Sequence, residues 1–279
     1  MSLAVEIETL APEDLDDLRR AVALLSGRSF AARAAYSLGQ RATALSGAIP
    51  LSVREAALRA SETALKAALR AAIRSVKRAP TATAKIGRDR ALVALTGAVG
   101  GGMGFLGSAV ELPISTTLML RSIAAIAREQ GEDLSAPESA LACLEVLALD
   151  GAALGGATID LGYFAVRAAL ARSVREAARY LAGRGAADEL APALARLVAE
   201  IASRFGVVVS EKFIAQSIPV VGAAFGAGVN LIFLEHYQRL ALGHFTIRRL
   251  ERRYGGEVVR REAERVRFAS RSGSRTAFH

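Results

Sequence analysis

The sequence has no tryptophan, one cysteine, three histidines and seven prolines in 279 residues, and aromatic residues make up only 5% of it. Each scarcity excludes something. A single thiol, Cys143, permits neither an internal disulfide framework nor a thiolate metal cluster, which points to the cytoplasm or its membrane face. The only histidines are His236, His244 and the terminal His279. His236 and His244, eight positions apart and about 80° around a helix, could approach one site with Glu235, but a metal needs more ligands. No metal and no cofactor is expected. The phosphate-binding G-x-x-x-x-G-K-[ST], the zinc-binding H-E-x-x-H and the nucleophile elbow G-x-S-x-G are all missing. Gly102-Met-Gly104-Phe-Leu-Gly107 matches G-x-G-x-x-G but lacks the strand before it that dinucleotide binding requires, so its glycines read as helix-packing residues. The chain opens MSLAVEIETLAPEDLDDLRR, acidic where a secretory signal is basic, and secretion is not expected.

What is present is apolar and helix-forming. Apolar residues make up 52% of the chain and the mean hydropathy is +0.30, too apolar for a disordered segment. Alanine accounts for 58 residues, and 32 arginines stand against four lysines, a bias that a GC-rich genome writes. The formal charge of +9 and the pI near 10.4 are therefore weak evidence for a polyanionic partner. No alternating run of β-branched residues occurs, and Val207–Val209, the one strand-like stretch, is too short for a sheet.

The sequence predicts an all-α multi-helix bundle with two central apolar, glycine-rich helices. Pro12 followed by Glu13 and Asp14 opens a first helix that stops near Gly27. Ser52 with Glu55, and Ser135 with Glu138, have the spacing of capping boxes. Gly131 stands where a helix from Leu118 should end. Further helices are expected over about 160–181, over about 188–205, and from near Pro219. Residues 79–85 (APTATAK) read as a linker. Amphipathic N-terminal helices (1–84) then pack on a helical core (85–268), followed by a flexible tail (269–279).

Ala91–Val110 and Phe213–Leu234 carry no charge over 20 and 22 residues, enough to cross about 30 Å of hydrocarbon at roughly 1.5 Å per residue. The charge divides around them. Residues 1–90 hold 15 basic and 9 acidic groups, residues 112–211 hold 9 and 12, and residues 235–279 hold 11 and 5. Both runs therefore read either as membrane spans with cytoplasmic termini or as the centre of a bundle. Glu111, Arg121, Lys212 and Asn230 flank or interrupt them, where a charge is costly unless paired. With His236 and His244 they form a candidate polar cluster, read as buried ion pairs or as a site for a head group or partner. The C-terminal arginines Arg248, Arg249, Arg252, Arg253, Arg260 and Arg261 are candidate contacts to anionic lipid. Nucleic acid is not expected as a partner, because no aromatic residues are interleaved with these arginines and no reading motif occurs.

Several segments resemble one bacterial family. They are Glu111-Leu-Pro-Ile-Ser-Thr-Thr, Leu120-Arg-Ser-Ile, Gly131-Glu-Asp, Glu211-Lys, Pro219-Val-Val-Gly-Ala and His244-Phe-Thr-Ile-Arg-Arg-Leu-Glu-Arg. Together, over about Leu15 to Phe268, they are similar to the EcsC family. The family takes its name from a gene beside those of an ABC-type transporter, so the resemblance implies membrane association or an accessory role near a transporter. It implies no catalytic residue. The functional expectation is a non-enzymatic accessory protein, cytoplasmic and either peripheral to or inserted in the inner face of the membrane, meeting anionic lipid or a membrane protein. The alternative is a soluble enzyme or small-ligand binder with a polar site between helices.

Overall fold

A computed structural model describes residues 10–27, 29–37, 49–76, 104–150, 162–184, 191–217 and 222–276. Among them every regular element is a helix: α1 (Pro12–Leu25), α2 (Phe30–Ser37), α3 (Leu51–Val76), α4 (Gly104–Glu129), α5 (Pro137–Glu145) followed by a 3-10 turn (Val146–Ala148), α6 (Gly162–Arg184), α7 (Pro192–Ser217), α8 (Gly222–Tyr254) and α9 (Gly256–Thr276). The all-α bundle expected from the composition is what forms.

Local chemistry explains several boundaries. Pro12 sits in the first turn of α1 with Glu13 and Asp14 beside it, where a missing N–H costs nothing and acids meet the positive end of the dipole. Gly131 adopts φ +78° and closes α4 with a Schellman pair: Glu132 N–H donates to the Ala127 carbonyl and Gly131 N–H to that of Arg128. The two expected capping boxes do not form. Pro50 immediately precedes α3, which leaves Ser52 inside its first turn. The N-cap of α5 is Ala136, because Pro137 takes the first helical position and Ser135 donates to Asp133 Oδ1 from both its N–H and its hydroxyl.

Three helices run further than their sequences suggest. α4 incorporates Pro113 and starts at Gly104. α7 continues through the valine run to Ser217, since Val208 and Val209 are completely buried and packing outweighs the modest helix cost of β-branched residues. α9 likewise extends past Phe268 to Thr276. Residues 79–85 and most of the first apolar run lie outside the described residues. Of the second run, residues 213–217 end α7 and residues 222–234 open α8. No helix among the described residues is long and apolar enough to cross a membrane.

The packing has two centres. The main core gathers α2 to α8, with α3 against α7 and α4, and α6 against α7 and α5. Its few aromatic rings cluster edge to face: Phe30 and Phe233 at 5.3 Å, Phe233 and Tyr237 at 5.1 Å, Phe205 and Tyr237 at 5.7 Å. A smaller core joins α1, α8 and α9 through Leu18, Ala21, Ile247, Leu250 and Val259. α8, 33 residues long, belongs to both. Gly255, at φ +84°, is the single residue between α8 and α9.

Close contact of α1 with α8 requires a glycine. A Cβ on Gly243 would lie 2.7 Å from Leu25 Cγ and 3.1 Å from the Ala21 carbonyl oxygen. Gly243→Ala is expected to lower the unfolding free energy by about 1–3 kcal/mol through overpacking, read by urea denaturation. An unchanged midpoint would mean that α1 shifts freely.

Candidate functional site

The predicted polar residues fall in separate places. Glu111, Lys212 and Asn230 meet, carried by α4, α7 and α8. Lys212 Nζ is fully buried, 3.0 and 3.3 Å from the two Glu111 oxygens, and Asn230 Nδ2 donates to Glu111 Oε1 at 2.7 Å. The ammonium also lies 4.7 Å from the centre of the Phe233 ring. An ion pair this enclosed ties three helices together, and its attraction mainly offsets the cost of removing two charges from water. Arg121 lies exposed elsewhere on α4.

His236 belongs to a second group. Its Nε2 approaches Asp150 Oδ2 at 2.9 Å without the alignment of a hydrogen bond. The same Asp150 oxygen accepts from Phe30 N–H at 3.4 Å, and Glu211 accepts from Ala31 N–H, so two buried carboxyls sit at the N-terminus of α2. Burial, reinforced by the charge of Asp150, pushes Glu211 up to about 8. Glu211 Oε2 and the Tyr237 hydroxyl are buried with no hydrogen-bond partner among the described residues. Sequence reasoning missed Asp150 and Tyr237. The signal for Glu211 was its place beside Lys212, in a stretch that otherwise buries valine and phenylalanine.

His244, fully buried, sits 3.1 Å from the Tyr163 hydroxyl through Nδ1. That hydroxyl also accepts from Arg167 at 3.3 Å, while His244 Nε2 is buried with no hydrogen-bond partner among the described residues. Burial, with the charges of Arg167 and Arg248, holds the imidazole well below its ordinary 6.5, so it is neutral. Arg167 in turn grips Glu251 through two bonds of 2.7 and 3.0 Å. His236 and His244 thus serve different neighbours. No group of three or more His, Cys, Asp or Glu side chains among the described residues is placed to hold a metal.

The C-terminal arginines form two rows on α8. Positions 248 and 252 lie about 40° apart around a helix, as do 249 and 253. Arg248 and Arg252 both bind Glu132, which also accepts from Ser139 at 2.7 Å. Burial raises the Glu132 pKa, but hydrogen bonds from Arg248 and Ser139 and the charges of Arg248 and Arg252 outweigh it and hold the carboxyl at about 2. Arg249 binds Asp17, and Arg253 reaches Asp14 at 2.9 Å, where the Tyr254 hydroxyl also donates at 2.7 Å. Arg260 and Arg261 are exposed on α9, Arg260 in a loose 3.4 Å pair with Glu264. Four of the six arginines therefore dock helices to one another.

Two measurements test this arrangement. Glu111→Ala strands the Lys212 ammonium and is expected to cost about 3–5 kcal/mol, while Glu111→Leu combined with Lys212→Met recovers most of it; equal losses would place the ammonium in water. Glu211, and Glu145 at about 6 through burial, bind a proton more tightly folded than unfolded. Stability then falls as pH rises from 4.5 to about 8, whereas the contribution of Glu132 is lost as pH falls from 4.5 toward 2. Glu211→Gln is expected to flatten the decline above pH 6; an unchanged slope between pH 6 and 8 would contradict the assignment.

Neither a curated protein nor a solved structure matches the chain. A family model does match, over residues 34–250, within the stretch that the sequence segments had outlined and short of α1 and α9. With more than three quarters of its length so matched, the chain belongs to the EcsC protein family.

Proposed function

We propose that the protein is a non-enzymatic accessory protein that works at the anionic inner face of a bacterial cell membrane, beside a transporter. The observation that carries this reading is where positive charge is left over. Arg248, Arg249, Arg252 and Arg253 are paired with Glu132, Asp14 and Asp17. Arg260 and Arg261 face solvent on α9, in a segment, 235–279, with 11 basic and 5 acidic groups. Such a surface attracts anionic lipid at about 1 kcal/mol per basic residue. The transporter side of the reading rests on the family name alone.

The alternative, an enzyme or ligand binder built on Glu111, Arg121, Lys212, Asn230, His236 and His244, needs those side chains to converge on one accessible site. They divide instead between a closed ion pair, an α2 cap, a histidine under Tyr163 and an exposed arginine.

Flotation with phosphatidylglycerol vesicles tests the reading. The protein is expected to float at low ionic strength and to be largely released near 1 M salt, where the screening length falls to about 3 Å. Arg260→Ala with Arg261→Ala removes about 2 kcal/mol, roughly a 30-fold loss of binding. Equal recovery on phosphatidylcholine vesicles, or no flotation on either, would overturn it.

A further inference from the structure

α1 and α9 diverge beyond their shared core and leave a groove of about 570 Å3 between them, open along one side. This is within the roughly 300–1,000 Å3 of small-molecule sites. Its floor is apolar, made by Leu15 and Val22 of α1 and Val266 of α9, with the exposed Ala23 beside them. Three guanidinium groups stand around it, Arg19, Arg265 and Arg267, against Glu262 in its lining and Asp16 bound to Arg19, which leaves an excess of about one positive charge. Arg19 pairs with Asp16 at 2.7 Å in an exposed pair, and Arg265 reaches the mostly buried Glu262 at 2.7 Å. The exposed Arg19–Asp16 pair is worth little and exchanges readily for another anion. Arg267 is held below its ordinary pKa by desolvation, as a cation turned toward apolar surface would be.

The surface next to the groove has the same two-part character. At 100° per residue, Arg261, Arg265 and Phe268 lie within about 60° of one another on α9, and the Phe268 ring is 69% exposed. An exposed aromatic ring beside two arginines, flanking an apolar slot with a cationic rim, matches a molecule with one apolar tail and one anionic head. A polar peptide would leave the floor uncovered, and a neutral hydrocarbon would make no use of the cationic rim.

We propose that the groove between α1 and α9 holds one acyl chain of an anionic membrane lipid, whose head group meets Arg19, Arg265 and Arg267. The assignment deepens the membrane-surface reading and rests on it for the source of the lipid. Both helices lie outside the family match at 34–250, so the site belongs to this chain's flanking elements. Binding has two parts: surface attraction, which salt screens, and chain burial, which it does not.

The test uses the full-length protein, phosphatidylglycerol vesicles, and lysophosphatidylglycerol below its micelle concentration, with the phosphatidylcholine forms as controls. Ala23→Trp fills the groove from an exposed position, and Ala23→Asp sets a carboxylate in it; circular dichroism and thermal melts verify folding of both. The unsubstituted protein is expected to take up monomeric lysophosphatidylglycerol one to one by native mass spectrometry, at least tenfold more tightly than the choline form, and both variants to lose this. On vesicles, the variants are expected to keep the salt-sensitive binding and lose the part that persists near 1 M salt. Uptake of the lysolipid without any vesicle binding would retain the groove and overturn the membrane-surface reading. Vesicle binding without lysolipid uptake, or with uptake unchanged in both variants, would overturn the groove. The direct lysolipid measurement on the unsubstituted protein decides the matter even if neither variant folds.

Discussion

The Lys212 ammonium has no route to water, and much of the architecture follows from where its counter-charge must stand. Glu111 has to come from α4 and the supporting amide of Asn230 from α8, so α4, α7 and α8 are held at one level of the bundle. A hydrophobic contact tolerates sliding by an ångström or two. A buried ion pair does not, because a small displacement leaves a charge unpaired in a medium that solvates it poorly. In a core built as much from alanine as from leucine, with few large rings to interlock, such pairs supply registration that side-chain shape alone would not.

The same logic runs outward along α8. Arginine is the dominant cation here, and its planar fork suits bidentate capture of a carboxylate, as in the Arg167–Glu251 and Arg248–Glu132 pairs. The acids at the start of α1 thus do two things: they complement the dipole of their own helix, and they receive Arg249 and Arg253 from α8. A net charge of +9 coexists with a helix, α8, most of whose arginines are paired with carboxylates. What remains for a partner is a local excess at α9.

How much of this was legible in the sequence depended on the range of the cause. Local causes were readable: Pro12 and its acids marked α1, and the glycine at 131 marked the end of α4, because the left-handed backbone needed there is a property of one residue. Competing local causes were not. Ser135 had the spacing of a cap, but Asp133, two residues earlier, captured it, and Pro137 fixed the first helical position one residue too late. The valines at 207–209 opposed a helix by propensity, and burial overruled them. For the candidate site, the expense of a charge beside an apolar run pointed to Glu111, Arg121, Lys212 and Asn230, of which three meet and Arg121 lies exposed elsewhere on α4. Asp150 and Glu132 escaped notice because their meaning lies in chain segments more than 80 residues away, which spacing arguments do not reach.

Gly255 joins α8 to α9 with no slack, since one residue in a left-handed conformation reverses neither helix and adds no loop. A joint of that kind allows tilt but not translation. α9, about 30 Å long, starts beside Arg252 and Arg253 and is held along its first turns by Val259 and Ala263 in the core shared with α1 and α8. The start of α9 is therefore placed by the end of α8, which the arginine rows clamp to Glu132 and Asp14.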